Sequence, residues 1–235
     1  MTLRTINNIE VSAICNNACR YCPASEVHKH RPVGLMTMDT FEHVLEWIRY
    51  FVRQGTQGQV NMYGVGESTL NPLLPDMIRA VRDIVPYRHQ VHLNTNANWV
   101  DKTTTYVTEK EIEYALSLKN AGITQIDITA HNHFNTAKAW RIFGIVEIPS
   151  KISFDVITRP NNWGGQVDWF EPIYDAGFCP WIYKGQSNIM WDGGINQCCL
   201  DAFGNHIMGT VYDEPHDIEA VPYELCKSCH HKLRP

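Results

Sequence analysis

Three cysteines, Cys15, Cys19 and Cys22, stand at C-x3-C-x2-C spacing at the end of a short, mostly apolar run, Ile9 to Ile14. Three soft thiolates from one tight loop can hold three corners of a cubic iron–sulfur cluster. The fourth iron then receives no ligand from this motif, and an open metal position is where a small molecule binds. Structural zinc is the competing reading, but zinc sites draw on C-x2-4-C pairs in two separate knuckles. Five more cysteines, Cys179, Cys198, Cys199, Cys226 and Cys229, lie toward the other end of the chain, with none between the two sets. That separation argues for two sites. Cys179, Cys198, Cys226 and Cys229 supply four thiolates and leave no open iron, so a cluster there would carry electrons. A zinc ribbon is the alternative for this set, because Cys226-x2-Cys229 fits either metal.

The elements that must hold these groups alternate. Residues 8–14 read as a strand, with Val11 and Ile14 apolar and Glu10 and Ser12 polar, and the cysteine loop follows its C-terminal end. Asp39-x-x-Glu42 has the form of a capping box, ahead of Phe41, Val44, Leu45, Ile48, Phe51 and Val52 at helical spacing and a stop at Gly55. Val60 to Tyr63 is a second strand running into Gly64-Val65-Gly66-Glu67, and 75–85 a helix. Val91 to Asn96 is a third strand. A second capping box, Thr108-x-x-Glu111, opens a helix that Gly122 ends. Gln125 to Thr129, a helix over 135–144, Ile152 to Thr158 and a short helix over 167–176 complete the series. Strands alternating with helices imply an α/β fold with a parallel sheet, which the pattern alone does not assign to a partial barrel or a doubly wound sheet. Ser187 to Gln197 reads as a hairpin turning at Asp192-Gly193. Asp127 and Asp155 stand in otherwise apolar strands, where a carboxylate must be paired or must line a polar cavity. Trp163-Gly164-Gly165 reads as a turn, or as an aromatic loop placed to cap a pocket.

The chain has 235 residues, 44% of them hydrophobic, enough for one full core with a small appendage. Net charge is -5, and no run of Lys/Arg offers a surface for nucleic acid. No apolar stretch approaches bilayer-spanning length, and Met1 to Asn8 is polar and short, so the reading has no membrane segment and no signal peptide. A cytoplasmic protein is expected, in which eight cysteines point to metal or catalysis rather than disulfides.

The three-cysteine loop, with Tyr21 before its last cysteine, resembles the signature of the radical S-adenosylmethionine (SAM) enzymes. The resemblance implies a partial (β/α)6 barrel over residues 1–177 and a [4Fe–4S] cluster whose open iron chelates SAM. It also implies reductive cleavage of SAM to a 5′-deoxyadenosyl radical, fed by a flavodoxin- or ferredoxin-type electron donor. Tyr21 would lie near the adenine. Gly64, Gly66 and Glu67 resemble the family's Gly-Gly-Glu motif for the amino group of SAM, with Ser68 where proline is frequent. Asn94-Thr95-Asn96 resembles Thr-Asn-Gly with Ala97 in place of the glycine, and Asn94 is carried as a cofactor contact. Thr129 keeps the hydroxyl of the family's Ser-x-Asp ribose motif, but His131 replaces the carboxylate. Arg159 is a candidate for the SAM carboxylate or an anionic substrate group. Gly193-x4-Cys198 with Cys199, Asp201 and Gly209 resembles the family's SPASM/twitch appendage, here residues 178–235 with one auxiliary [4Fe–4S] cluster. The glycine spacing favours Cys198 as the ligand and leaves Cys199 a spare thiol.

Size and cysteine layout are most similar to the aminocyclitol dehydrogenases of that family, which oxidise a secondary alcohol to a ketone. The expected function is therefore hydrogen abstraction from a small, polar, sugar- or cyclitol-like substrate, with oxidation aided by the auxiliary cluster. Asp127, Asp155, Arg159 and Cys199 are the candidate catalytic residues. The chain starts almost at the first strand, with no room for a leader-peptide-binding module, which favours a small molecule. The alternatives are modification of a ribosomal peptide, by epimerisation, crosslinking or oxidation, and a non-catalytic zinc scaffold.

Overall fold

The computed structural model describes residues 2–154, 163–166 and 179–229. Among the described residues, eight strands form one sheet in the order β5-β4-β3-β2-β1-β6-β7-β8. They are β1 (Thr5–Ile9), β2 (Val60–Asn61), β3 (Val91–Thr95), β4 (Gln125–Thr129), β5 (Ser150–Ser153), β6 (Gln186–Ile189), β7 (Gly194–Asn196) and β8 (Ile207–Thr210). Every pair from β5 across to β6 is parallel, and β6–β7 and β7–β8 are antiparallel. The connecting helices are α1 (Met38–Arg53), α2 (Leu74–Ile84), α3 (Glu109–Ala121) and α4 (His133–Ile145), with the short α5 (Pro180–Lys184) and α6 (Glu224–Ser228) later in the chain.

Residue alternation gives this sheet one apolar face and one polar face. In β3, Val91, Leu93 and Thr95 are buried while His92 and Asn94 are half-buried. The apolar set, with Ile6, Val60, Ile126 and Ile128, packs into one core with Phe41, Val44, Leu45, Ile48 and Phe51 of α1, Met77, Ile78 and Val81 of α2, Leu118 of α3, and Ile142 and Phe143 of α4. The opposite face carries asparagines and a histidine. It is the polar interior of a partial barrel, where a doubly wound sheet would bury apolar residues on both faces.

Most elements fall where the residue pattern puts them, and three differences have local causes. The strand expected over 8–14 is Thr5–Ile9. Beyond it Glu10 N still donates to Ile189 O of β6, but Met36 N donates to Val11 O and Ala13 N to Gly34 O. A returning segment thus takes residues 11–13, which keeps their apolar alternation without a place in the sheet. The cap of α1 is Thr37, whose side chain accepts from Thr40 N, and Asp39 falls in the first turn. On that helix Val52 is only partly buried. By contrast, Thr108 and Glu111 form the expected reciprocal box, and Gly122 closes α3 at φ 94°. β6 and β7 form the expected hairpin, with Gly193 at φ 92° in its turn. The end of the fifth expected strand and the helix over 167–176 lie outside the described residues.

Candidate active site

A cavity of about 530 Å³ opens at the C-terminal ends of the parallel strands. Its lining gathers the three cysteines of the loop with Tyr21, Gly64, Gly66, Glu67, Asn94, Thr129 and His131. Catalytic residues of parallel barrels sit at this end because the loops there vary without disturbing the strands.

Glu67 is the keystone of the loop after β2. It is buried, and its carboxylate accepts from Thr69 N (3.2 Å), Thr69 Oγ1 (2.6 Å), Thr95 Oγ1 (2.8 Å) and Asn96 N (2.7 Å). Its own amide donates to Ile14 O at 2.8 Å, tying the β2 and β3 loops to the cysteine loop. Burial still pushes the carboxyl above its ordinary value. The two glycines before it are set by close packing. A Cβ on Gly64 would lie 2.5 Å from the Glu10 side chain, and one on Gly66 would lie 2.3 Å from Ser12 O. Asn96 reaches the loop as well, donating to Asn16 Oδ1 at 2.8 Å and to Cys15 Sγ at 3.8 Å.

On the β4 side Thr129 Oγ1 donates to Asn94 Oδ1 at 3.0 Å. His131 packs on the cysteine loop: Nδ1 is 2.7 Å from the Tyr21 hydroxyl and 3.7 Å from Cys19 Sγ. Trp163 Nε1 donates to Tyr21 O at 3.0 Å, so that aromatic loop does border the cavity. Burial pushes the Cys15 and Cys19 thiols up and the Cys22 thiol up to about 12. Such thiols ionise when a cation takes them, as metal binding does. No three His, Cys, Asp or Glu side chains among the described residues converge closely enough for a single metal ion. The three thiols border a larger space, which suits the body of a cluster.

Asp127 is not in the cavity lining. It faces His92 Nε2 at 3.2 Å and Lys151 Nζ at 3.0 Å, and accepts from Gln125 Nε2 at 2.8 Å. Its burial in an apolar strand is answered by pairing. Asp155 and Arg159 lie outside the described residues.

A second, small cavity is lined by Cys179, Cys198, Cys226 and Cys229 with Trp181, Leu200 and Leu225. Cys199 is not among them; it lines the large cavity, as Cys198 also does, and its sulfur accepts from Trp181 Nε1. Contact with Cys199, together with burial, pushes the Cys198 thiol well up.

A family model, the radical SAM superfamily, matches residues 9–149. The chain belongs to the radical SAM superfamily. No curated protein matches the chain. Among solved structures it is similar to BtrN in complex with AdoMet and 2-DOIA, with TM-score 0.64, 19% identity, and coverage of 89% of this chain and 78% of that one. It is also similar to BtrN in an open conformation, with TM-score 0.57, 18% identity, and coverage of 89% and 76%. As a radical SAM protein, the chain uses a [4Fe–4S] cluster and SAM. Cys15, Cys19 and Cys22 are the residues of the matched segment that fit the cluster, because they are all the cysteines it contains. The radical SAM fold is the likeness these structures establish. Among the described residues no helix is long and apolar enough to cross a membrane.

Residue patterns passed over several groups that the fold brings into this site. Glu10 and Arg31 form a buried ion pair at 2.8 Å in the cavity lining. Asn7, Asn8, Asn188 and Asn196 line it too. Asparagine is depleted in strands, so this excess within strand segments was the available signal.

Proposed function

We propose that this radical SAM enzyme oxidises a small, polar, sugar- or cyclitol-like substrate, and that Cys179, Cys198, Cys226 and Cys229 hold an auxiliary [4Fe–4S] cluster. The observation that carries the second half is that these four thiols, and not Cys199, line one small cavity. Bound SAM, reductively cleaved, supplies a primary-carbon radical able to take hydrogen from an unactivated C–H bond; the hard chemistry is the cofactor's. The chain's part is to orient the substrate and exclude water. Asn94, Thr129 and the backbone at Gly66 are the proposed SAM contacts, with Glu67 holding their loops in register. Held by these four thiols, a second cluster with no open iron would supply a one-electron acceptor, so that the net change would be a two-electron oxidation. The similarity to BtrN, whose complex contains AdoMet and 2-DOIA, supports a small-molecule substrate. A flavodoxin- or ferredoxin-type donor is the proposed reductant. Residues 1–177 as the catalytic unit and 178–235 as the auxiliary unit is the proposed division.

Anaerobic purification tests this directly. The wild type should carry about eight irons, from two cubic clusters. Cys198→Ala should carry about four, while Cys199→Ala should retain about eight. Iron unchanged in Cys198→Ala, or zinc in place of iron at that site, would sink the auxiliary-cluster assignment. Absence of 5′-deoxyadenosine after reduction with SAM would sink the enzyme reading.

A further inference from the structure

The part of the cavity wall built from β1, β6 and β7 is a ladder of carboxamides. Asn61 pairs with Asn8, Asn8 with Asn188, and Asn188 with Asn196 in strand register. The shift in register between Ile6 and Asn8 brings both Asn7 and Asn8 to the cavity, as irregular strands near active sites commonly do. Most of this ladder is occupied. Asn61 Nδ2 donates to Asn8 Oδ1 at 2.8 Å, and Asn7 Nδ2 to the same oxygen at 2.9 Å. Asn196 donates to Asp201 O at 2.9 Å and accepts from Cys198 N at 2.8 Å.

Asn188 is the exception. It is 8% exposed, and both its Nδ2 and its Oδ1 are buried with no hydrogen-bond partner among the described residues. Arg31 adds a second case: Nη2 binds Glu10 at 2.8 Å, Nε donates to Ala202 O at 2.8 Å, and the buried Nη1 has no such partner. Of the buried side-chain atoms left so, these three are the ones that belong to cavity-lining residues. The two residues are neighbours in the fold, because Glu10 N binds Ile189 O and Asn196 binds the carbonyl next to Ala202. A fold that leaves polar atoms buried and unmade loses their hydration. Such a cost is retained where a ligand makes the bonds.

We propose that Asn188, with Arg31 beside it, reads two adjacent hydroxyls on a neutral substrate. This rests on the reading of the chain as an enzyme of small polar molecules, and it narrows the class. One hydroxyl donates to Asn188 Oδ1, its neighbour accepts from Nδ2, and Arg31 Nη1 donates to a further oxygen. An ammonium group would find no free carboxylate here, because each carboxylate of the described lining is already engaged. Glu10 accepts from Arg31, Val65 N and Trp191 N. Glu67 has its four donors, and Asp201 accepts from Asn205, His206 N and Tyr223. Lys184 at the lining is a further cation.

The test is calorimetric binding to the anaerobically reconstituted, SAM-loaded protein. The panel is myo-inositol, scyllo-inositol, methyl glucoside and methyl galactoside, each with its amino, phosphorylated and single-deoxy counterparts. A neutral polyol should bind, and its deoxy counterpart should bind about tenfold more weakly. Asn188→Leu should bind the polyol about tenfold more weakly and no longer discriminate the deoxy form. Its thermal midpoint without ligand should equal or exceed that of the wild type. Asn188→Asp, of the same shape, should shift preference to the amino counterpart. Absence of neutral binding, tighter binding of the amino or phosphorylated member by the wild type, unaltered affinity in Asn188→Leu, or a lowered midpoint in that variant would each overturn the inference. If the same preparation forms 5′-deoxyadenosine but binds no polyol, this inference alone fails; if it forms none, the proposed function fails first.

Discussion

At the scale of single residues, Gly66 shows how a motif glycine is fixed by packing within the protein. Its backbone passes so close to the cysteine loop that a methyl group would stand 2.3 Å from Ser12 O and 2.6 Å from Ile14 O. Two backbone carbonyls cannot swing aside as a side chain can. Gly66→Ala should cost about 1–3 kcal/mol of stability, as overpacking does, and should displace the loop that presents Cys15. A urea titration and an iron assay check this; wild-type values in both would show that the loop yields freely. The sequence placed Gly66 and Glu67 in the site by their position after a strand. It did not show that Thr95 Oγ1 and Asn96 N complete the donor set of Glu67, because they lie 28 and 29 residues away. The partners of Asp127 are hidden in the sequence for the same reason. The rule that a buried carboxylate is paired or lines a cavity offers two outcomes, and only the strand register brings His92 and Lys151 to it.

At the scale of elements, the connection from β3 to α3 is stapled by one ion pair. Glu111 of α3 meets Lys138 of α4 at 2.9 Å, and both are buried. Glu111 also accepts from Asp101 N at 2.7 Å, while Lys138 donates to Asp101 O at 2.8 Å and Thr104 O at 3.2 Å. Burial pushes the Glu111 carboxyl up, but the Thr108 amide, Lys138 and the Asp101 amide outweigh it and hold it below its ordinary range. The carboxyl is thus more acidic folded than unfolded. Its contribution is full above the unfolded value of about 4.3 and is lost as pH falls through the folded one. Acid unfolding should therefore steepen below about pH 4 in the wild type, and Glu111→Gln should flatten that limb; parallel pH profiles would refute the point. Lys138→Met leaves Glu111 buried and uncompensated and should cost about 3–5 kcal/mol by thermal or urea unfolding. Here the capping box was legible, since Thr108 and Glu111 are three residues apart. The Lys138 partnership was not, since nothing local marks a lysine as buried. Thr37 and Asp39 are both good caps by composition, and the extended backbone at Thr37 decided between them.

At the scale of the whole molecule, the sheet does not stop at the segment read as an appendage. β6 pairs in parallel with β1 over Thr5 to Ile9, and β7 and β8 extend the sheet beyond it. A chain cut after residue 177 would leave β1 as an open edge and expose Ile6 and Ile9, both fully buried in the intact chain. Unpaired edges of this kind associate. The fragment should therefore aggregate or lack a cooperative melt, by size-exclusion chromatography and circular dichroism. A monomeric, cooperatively melting fragment would show the two parts to be independent. What the sequence determined unaided is local chemistry: the thiolate trio and its spacing, the alternation of strands with helices, and the caps that close within one turn. Short-range geometry settles these, because the groups concerned are covalently near one another. What only the tertiary structure decided is which polar groups are already satisfied. Whether Glu67 is engaged, whether Asp127 is paired, and whether Asn188 is left without a partner among the described residues all depend on strands distant in sequence. Hydrogen bonding at such positions is set by register across the sheet, and no property of the residue itself contains it.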